Sequence, residues 1–227
     1  MIRALLFDFD GLILDTESPA YRSWQEVFGE HGHELPLADW AAAVGTLGGF
    51  DAVAHLEELT GRPVDRDAIR ARRLSRKTEL VAAETVRPGI VDYLDGARRR
   101  GLAVAIVSSD SREWIEGNLR KVGLVDGWAG IFCADGDRDR AKPAPWLYLE
   151  ALGALGLNAS EAVALEDSPN GVRAAKRAGL FCVAVPNPVT EGMDLAHADL
   201  LVPSLADLPL DDLLRRAGGG GEGGVGD

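Results

Sequence analysis

The fold is decided by the stretch Leu5-Leu6-Phe7-Asp8-Phe9-Asp10-Gly11-Leu12-Ile13-Leu14-Asp15-Thr16. Its first three residues, with Ile2 shortly before them, form a short apolar run that is typical of a strand buried on both faces. Strand alternation places Asp8 and Asp10 on one side, and Gly11 permits a sharp turn directly after them. Because carboxylates beside an apolar core are costly unless they are compensated, the stretch predicts a divalent-cation site at the carboxyl end of a parallel strand.

Two other interpretations of this stretch are excluded by its residues. A helix-loop-helix calcium site needs oxygen ligands at positions 1, 3 and 5, glycine at 6 and glutamate at 12. Counted from Asp8, the glycine comes too early and Leu12 occupies the third ligand position. A secretory signal is excluded because Asp8 and Asp10 lie inside what would be its apolar segment.

The composition is that of an ordinary globular protein. The chain has 227 residues, of which 46% are hydrophobic and 26% are charged, so it can bury a substantial core. The net charge of −12 argues against nucleic acid or an anionic membrane as a partner. No apolar run approaches the roughly 18 residues of a membrane span. Cys133 and Cys182 lie among apolar residues, which favours free buried thiols in a reducing compartment. We therefore expect a cytoplasmic protein that is a monomer or a weak homo-oligomer.

The segment 16–84 has the periodicity of helices and little strand character. The pattern predicts one amphipathic helix around Tyr21 to His31 and a second over 37–44. A third is predicted over 52–60, ending at Gly61, and a longer charged helix over 65–83. Four helices without a convincing strand indicate an all-helical module, so we expect a helical cap at residues 16–84.

From residue 86 onward, strands alternate with helices. Buried strands are predicted at 102–107, 130–134, 162–165, 181–185 and 200–202. This alternation is typical of an α/β fold, in which helices cover both faces of a parallel sheet. The first strand must belong to the same sheet, so we predict a discontinuous core at residues 1–15 and 85–216 with the cap inserted after the first strand. The glycine-rich residues 217–227 predict a flexible tail.

Polar side chains gather where the predicted strands end, and parallel strands share one such edge of the sheet. They are Asp8, Asp10, Ser108, Ser109, Glu166 and Asp167, with Lys142 before the helix that follows the third strand. Each residue alone has an ordinary interpretation, such as a helix cap, a solvated lysine or a turn. Their gathering at one edge, beside a pair of carboxylates, indicates a functional site.

This set of residues is complete for phosphoryl transfer through a covalent intermediate. Asp8 would attack phosphorus to give an aspartyl phosphate, and Asp10 would protonate the leaving oxygen and then deprotonate water. Glu166 and Asp167 supply further oxygens for a hard cation, for which we expect Mg²⁺. Lys142 can bridge Asp8 and the phosphoryl oxygens.

The equatorial phosphoryl oxygens would be held by hydroxyl and backbone groups. We expect the Ser108 hydroxyl and the N–H groups of Ser109 and of the Gly11 turn to serve this purpose. The four histidines lie outside these motifs, so no Ser-His-Asp arrangement is indicated.

With these motifs, the sequence resembles the haloacid dehalogenase-like superfamily of phosphohydrolases, in the subgroup with a helical cap after the first motif. The motifs appear in order as DFDGLILDT with Asp8 and Asp10, Ser108 after a hydrophobic strand, Lys142 in KPAP, and Glu166-Asp167 in EDSPNG. The resemblance covers all of the chain except the tail. It implies a Rossmann-like core and Mg²⁺ held by Asp8, the backbone carbonyl of Asp10 and the acidic pair.

Three functions stay open at this point. The first is a Mg²⁺-dependent phosphatase of a small phosphorylated metabolite, with a sugar phosphate expected. The second is a phosphomutase of the β-phosphoglucomutase type, which is disfavoured because residues 16–20 lack the histidine that follows the first motif in that mutase. The third is a non-catalytic relative that binds a ligand, which is disfavoured because all four motifs are intact.

The cap would choose the substrate, because it closes over the leaving group. Five cations crowd one predicted cap helix, namely Arg70, Arg72, Arg73, Arg76 and Lys77. A solvated helix face is the ordinary interpretation, and a contact of Arg76 or Lys77 with a distal anionic group of the substrate is the alternative. The turn at residues 47–49 could also face the substrate.

Overall fold

The computed structural model describes residues 1–41, 44–46 and 48–219. Its strands are β1 (Ala4–Phe7), β2 (Ala103–Ser108), β3 (Gly130–Cys133), β4 (Ala162–Glu166), β5 (Phe181–Ala184) and β6 (Leu200–Leu201). All pairings between neighbouring strands are parallel, in the order β3-β2-β1-β4-β5-β6. The predicted α/β fold with a Rossmann-like parallel sheet is therefore confirmed.

The position of β1 explains why the opening stretch decides the fold. Every residue of β1 is buried, and the strand pairs with β2 on one side and with β4 on the other. Alternation sends Leu5 and Phe7 into one apolar cluster and Ala4 and Leu6 into the cluster on the opposite face. The carboxyl ends of β2, β1 and β4 consequently meet at one edge of the sheet.

Helices cover both faces of the sheet. The helices of the described residues are α1 (Glu17–Glu30), α2 (Leu37–Trp40), α3 (Ala52–Thr60), α4 (Arg66–Val81), α5 (Ile90–Arg100), α6 (Arg112–Val122), α7 (Trp146–Leu155), α8 (Pro169–Arg177) and α9 (Leu210–Gly218). Apolar residues of α5, α6 and α9 pack on the face that holds Phe7, and those of α7 and α8 pack on the other face.

The helices α1 to α4 follow β1 in the chain and precede β2, and the described part of 16–84 contains no strand. They have an apolar cluster of their own, which includes Trp24, Phe28 and Leu56. The chain leaves the first strand and returns to the sheet through adjacent segments, because Leu14 forms an antiparallel bridge with Val86. The boundary of a separate cap domain stays a prediction, and we use the name cap for residues 16–84.

Helix ends agree with the predictions where local chemistry defines them. Gly61 ends α3 with a positive φ of 66°, and the Asp65 side chain accepts a hydrogen bond at the start of α4. Near the end of the chain, the helical segment consists of a 3-10 turn at Leu205–Asp207 and α9. Pro209 has extended backbone between them, because proline cannot donate the hydrogen bond that would continue a helix.

The remaining expectations concern helix length, the tail and the cysteines. The predicted helix over 37–44 is described only as α2, with residues 42 and 43 outside the described residues. Of the predicted tail at 217–227, the first two residues belong to α9, and residues 220–227 lie outside the described ones. Cys133 and Cys182 are both free and buried, as predicted. Among the described helices, none combines the length and the apolar character that crossing a membrane requires.

Candidate active site

Four of the predicted site residues form a buried constellation at the edge where β1 and β4 end. Lys142 Nζ donates to Asp8 Oδ1 at 2.5 Å and lies 2.6 Å from Glu166 Oε1. One oxygen from each of Asp8, Glu166 and Asp167 lies within 4.8 Å of the others. The side chain of Lys142 is only 2% exposed, so these charges interact with little screening by solvent.

The charges of this constellation do not balance. Three carboxylates and one ammonium group leave two negative charges without a counterion. Burial raises the pKa of Asp8 well above its usual value, although Lys142 opposes the shift. Burial and the nearby Asp8 and Glu166 raise the pKa of Asp167 well above its usual value. Burial alone would lower the pKa of Lys142, but Asp8 and Glu166 raise it above its ordinary value, so the lysine stays charged.

The constellation fits a divalent cation. Within the described residues, Glu166 Oε2 and Asp167 Oδ1 are buried and have no hydrogen-bond partner. A buried oxygen without a partner is costly, and carboxylate oxygens are the ligands that hard divalent cations prefer. A divalent cation would satisfy both oxygens and supply the missing positive charge.

Tyr148 of α7 contacts two members of the constellation, Glu166 and Lys142. Its hydroxyl donates to Glu166 Oε1 at 2.5 Å, and Lys142 Nζ lies 5.5 Å from the centre of its ring. Burial and the adjacent Glu166 raise the pKa of Tyr148, so the phenol keeps its proton and remains a donor. Nothing in the sequence pattern separates Tyr148 from an ordinary core residue of an apolar helix.

Asn187 and Arg87 hold the loops around the constellation, and the sequence pattern pointed to neither. Asn187 Nδ2 donates to Asp167 Oδ2 at 2.7 Å. The Arg87 guanidinium donates to the Gly11 carbonyl at 2.5 Å and to two carbonyls in the loop after β5, at 3.2 and 2.6 Å. Asn187 comes shortly after a strand end, so the reasoning that selected Glu166 could have found it, whereas no local pattern marks Arg87.

Gly11 gives the site space for its neighbours. Its own N–H donates to the Leu14 carbonyl at 2.7 Å and so closes the turn, and the binding of phosphoryl oxygens by N–H groups of this turn stays a prediction. Its φ of +84° is unfavourable for other residues, and a Cβ there would overlap the Asp167 carboxylate and the Asn187 amide.

The Asp10 side chain lies outside the three-carboxylate cluster. Its Oδ1 accepts hydrogen bonds from Thr16 Oγ1 and Trp114 Nε1, both at 2.8 Å, and its Oδ2 accepts one from Ser108 Oγ at 3.2 Å. The metal ligand expected from Asp10 is its backbone carbonyl, and that expectation stays a prediction.

The two predicted serines lie beside Asp10 and Lys142. Ser108 is buried, and its Oγ also accepts the Asp110 N–H at 3.0 Å. Ser109 Oγ accepts the Lys142 N–H at 3.1 Å and donates to the Gly45 carbonyl of the cap at 3.3 Å. Ser109 therefore connects the loop that carries the lysine with the cap.

A cavity of about 70 Å³ lies over the aspartates, between the core and the cap. Its lining residues are Asp8, Asp10, Ser108, Ser109 and Asp110 of the core and Glu17, Gly45, Thr46 and Lys77 of the cap. Pockets for small ligands usually measure about 300–1,000 Å³, so this cavity is small for a metabolite.

Lys77 of α4 lines this cavity, whereas Arg72, Arg73 and Arg76 of the same helix contact α1. Arg76 Nε lies 2.8 Å from Glu26 Oε2, and Arg72 pairs with Glu30. Lys77 lines the cavity and Arg76 is not among its lining residues, so of the two alternatives only a substrate contact of Lys77 stays a prediction. Of the predicted turn at 47–49, residue 47 lies outside the described residues.

Comparison with known proteins finds relatives along most of the chain. A family model described as haloacid dehalogenase-like hydrolase matches residues 2–179. The protein named "Putative phosphatase YhcW" of Bacillus subtilis (strain 168) is 43% identical over 214 residues, which cover 94% of this chain and 97% of that protein.

Two solved structures extend the comparison to ligands. CbbY from Rhodobacter sphaeroides in complex with phosphate matches with a TM-score of 0.76 and 32% identity, covering 94% of this chain and 99% of that chain. A mutant of the same protein in complex with xylulose-(1,5)bisphosphate matches with the same TM-score, identity and coverage.

Proposed function

We propose a specific activity for this chain, which belongs to the haloacid dehalogenase-like hydrolases and is a phosphoric monoester hydrolase. The proposed activity is that of a Mg²⁺-dependent phosphatase of small phosphorylated metabolites. The observation that carries the proposal is the buried group of Asp8, Lys142, Glu166 and Asp167 beneath a cavity that Asp8 lines. Sugar phosphates are the expected substrates, because a relative with the same fold has been solved with a sugar bisphosphate.

Asp8 is the nucleophile in this proposal. Lys142 holds Asp8 Oδ1, which leaves the second carboxylate oxygen for attack on phosphorus. The new bond joins Asp8 to phosphorus, the bond to the leaving oxygen breaks, and an aspartyl phosphate forms. Lys142 also offsets the charge that the incoming phosphoryl group brings toward three carboxylates.

Asp10 is the proposed general acid and base. It lines the same cavity as Asp8, two residues along the chain. It would give its proton to the leaving oxygen in the first step and take a proton from water in the second. Water then breaks the bond between Asp8 and phosphorus, which releases phosphate and restores the carboxylate.

The residues that would hold the metal are Asp8, Glu166 and Asp167, with the backbone carbonyl of Asp10. When bound, Mg²⁺ supplies the missing counter-charge and polarises a phosphoryl oxygen. The two buried oxygens without partners, on Glu166 and Asp167, support this assignment.

The test is phosphate release from a panel of sugar phosphates, nucleotides and an aryl phosphate, with Mg²⁺ and with a chelator. We expect release to need Mg²⁺ and to fall at least about 1,000-fold in Asp8→Asn, because an amide is a poor nucleophile. Asp126→Asn is the matched control, since Asp126 is exposed and outside the site, and it should retain full activity.

Two other outcomes would reject the proposal. Turnover that needs a hexose bisphosphate activator and yields an isomeric sugar phosphate would indicate the phosphomutase. A folded protein that releases no phosphate from any member of the panel would indicate a binding relative.

A further inference from the structure

Trp114 lies in the first turns of α6, between the acid–base aspartate and the cap. Its Nε1–H donates to Asp10 Oδ1 at 2.8 Å. Two hydroxyls, of Thr16 and Ser108, also donate to this carboxylate. A hydroxyl can rotate to another partner, but an indole N–H is a donor only and has its direction fixed by the ring. Of these three donors, Trp114 therefore constrains the orientation of Asp10 most strictly.

The ring of Trp114 makes a second polar contact, with the cap. Lys77 Nζ lies 4.3 Å from the ring centre, which is within the range of a cation–π interaction. Lys77 belongs to α4 and lines the cavity together with Asp8 and Asp10. Arg72 and Arg76 are paired with glutamates of α1, whereas the Lys77 ammonium lies over the ring of Trp114.

A packing role alone does not account for these contacts. The ring does pack at the margin of the apolar cluster around Phe7, as a core tryptophan would. Trp128 shows what such a residue does elsewhere in the fold, since it packs against Phe7 and donates its N–H to the Leu124 carbonyl at 2.8 Å. Trp114 differs because its partners are a carboxylate and an ammonium group that both line the cavity.

We propose that Trp114 is a positioning residue of the hydrolase: its N–H orients the Asp10 carboxylate, and its ring holds Lys77 over the substrate cavity. This inference rests on the proposed function and adds a residue to it. It assigns two separable effects to one side chain, one on proton transfer through Asp10 and one on substrate binding through Lys77.

The first part of the test compares Trp114→Phe with Trp128→Phe. Each variant keeps an aromatic ring and loses one indole N–H, and both tryptophans are half-buried. Since general acid catalysis typically contributes about 100- to 10,000-fold, misplacing the acid in Trp114→Phe should lower kcat/KM for a sugar phosphate about 10- to 100-fold. Trp128→Phe should leave kcat and KM unchanged.

Two substrates with different leaving groups distinguish a positioning role of Trp114 from a structural defect. The phenolate of an aryl phosphate leaves without protonation, so kcat/KM for this substrate should fall less than about 3-fold in Trp114→Phe. Equal losses with the sugar phosphate and the aryl phosphate would overturn the assignment to Asp10. So would a Trp114→Phe variant that behaves like Trp128→Phe.

The second part tests the ring. Trp114→Leu and Lys77→Met should each raise KM about 3- to 10-fold, and the double variant should raise it no further than Lys77→Met does. Fully multiplicative effects on KM would show that the ring does not act through Lys77. If Trp114→Leu does not fold, the Phe variants still decide the first part. Absence of Mg²⁺-dependent release by the wild type would instead reject the proposed function itself.

Discussion

Charged side chains form ion pairs at the edge of the sheet and on α4 of the cap, and the two groups of pairs differ in burial. Lys142 and Glu166 are 2% and 0% exposed, whereas Arg72 is 56% exposed and its partner Glu30 is 42% exposed. Exposed pairs typically contribute up to about 1 kcal/mol, but removing one partner of a buried pair costs about 3–5 kcal/mol. The cap pairs join α4 to α1, while the buried group retains an excess of negative charge that a bound divalent cation would balance.

The largest effect is expected from removing the buried cation. In Lys142→Met, Asp8 and Glu166 lose their positive partner, so the free energy of unfolding should fall by about 3–5 kcal/mol in the presence of chelator. Arg72→Gln, the matched variant of an exposed pair, should change it by less than about 1 kcal/mol. Urea denaturation of the two variants measures both values, and equal losses would remove the distinction between the two groups.

Removing an excess carboxylate should have opposite effects on activity and stability. Asp167→Asn deletes a charge that is buried near Asp8 and Glu166, and the new amide oxygen can still accept from Asn187. We expect phosphate release to fall about 100-fold, while the free energy of unfolding in chelator rises by about 1–2 kcal/mol. A variant that is both less active and less stable without metal would show that the carboxylate serves the fold rather than the cation.

Glu17 of the cap lines the cavity between the two regions, and its effect on stability depends on pH. Burial, with Asp10 nearby, raises the pKa of Glu17 from its ordinary value of 4.5 to about 7. Between these values the folded protein holds a proton that the unfolded chain has lost, so this group reduces stability as the pH rises from 4.5 to 7. Glu17→Gln should match the wild type at low pH and exceed its free energy of unfolding by about 1–3 kcal/mol at pH 8. Chelator-containing denaturation curves at both pH values measure this, and a constant difference would contradict the shift.

The smallest effect is expected from the cap arginine that faces away from the cavity. Arg76 pairs with Glu26 and Glu79, so Arg76→Gln should change KM for a sugar phosphate less than about 2-fold. Steady-state kinetics beside Lys77→Met measure the contrast. A large rise of KM in Arg76→Gln alone would mean that α4 presents a different face to the substrate than the structure shows.

The same two regions differ in how far the sequence predicts them. Parallel strands deliver their carboxyl ends to one edge, so the strand pattern alone is enough to group Asp8, Ser108 and Glu166. The fold follows from the same pattern, since alternating strands and helices leave few alternatives to a covered parallel sheet.

The helices of the cap were predicted, but the directions of their side chains could not be, because the direction of a helix face depends on its packing partner. The sequence could not choose between Arg76 and Lys77, and the structure separates them because Arg76 pairs with Glu26 of α1 while Lys77 lines the cavity. Trp114 and Tyr148 were missed for a related reason. Both have helical apolar spacing, and their polar contacts come from residues distant in the chain.

The most direct measurement asks whether the phosphoryl group passes through Asp8. Enzyme turning over an aryl phosphate is quenched in acid, acyl phosphates are reduced with borohydride, and the peptide containing residue 8 is examined by mass spectrometry. We predict homoserine at position 8 in the wild type, more of it in Asp10→Asn because hydrolysis of the intermediate is slower, and none in Asp8→Asn. Homoserine at another position, or an unreduced Asp8 while a synthetic acyl phosphate in the same quench is fully reduced, would contradict the mechanism.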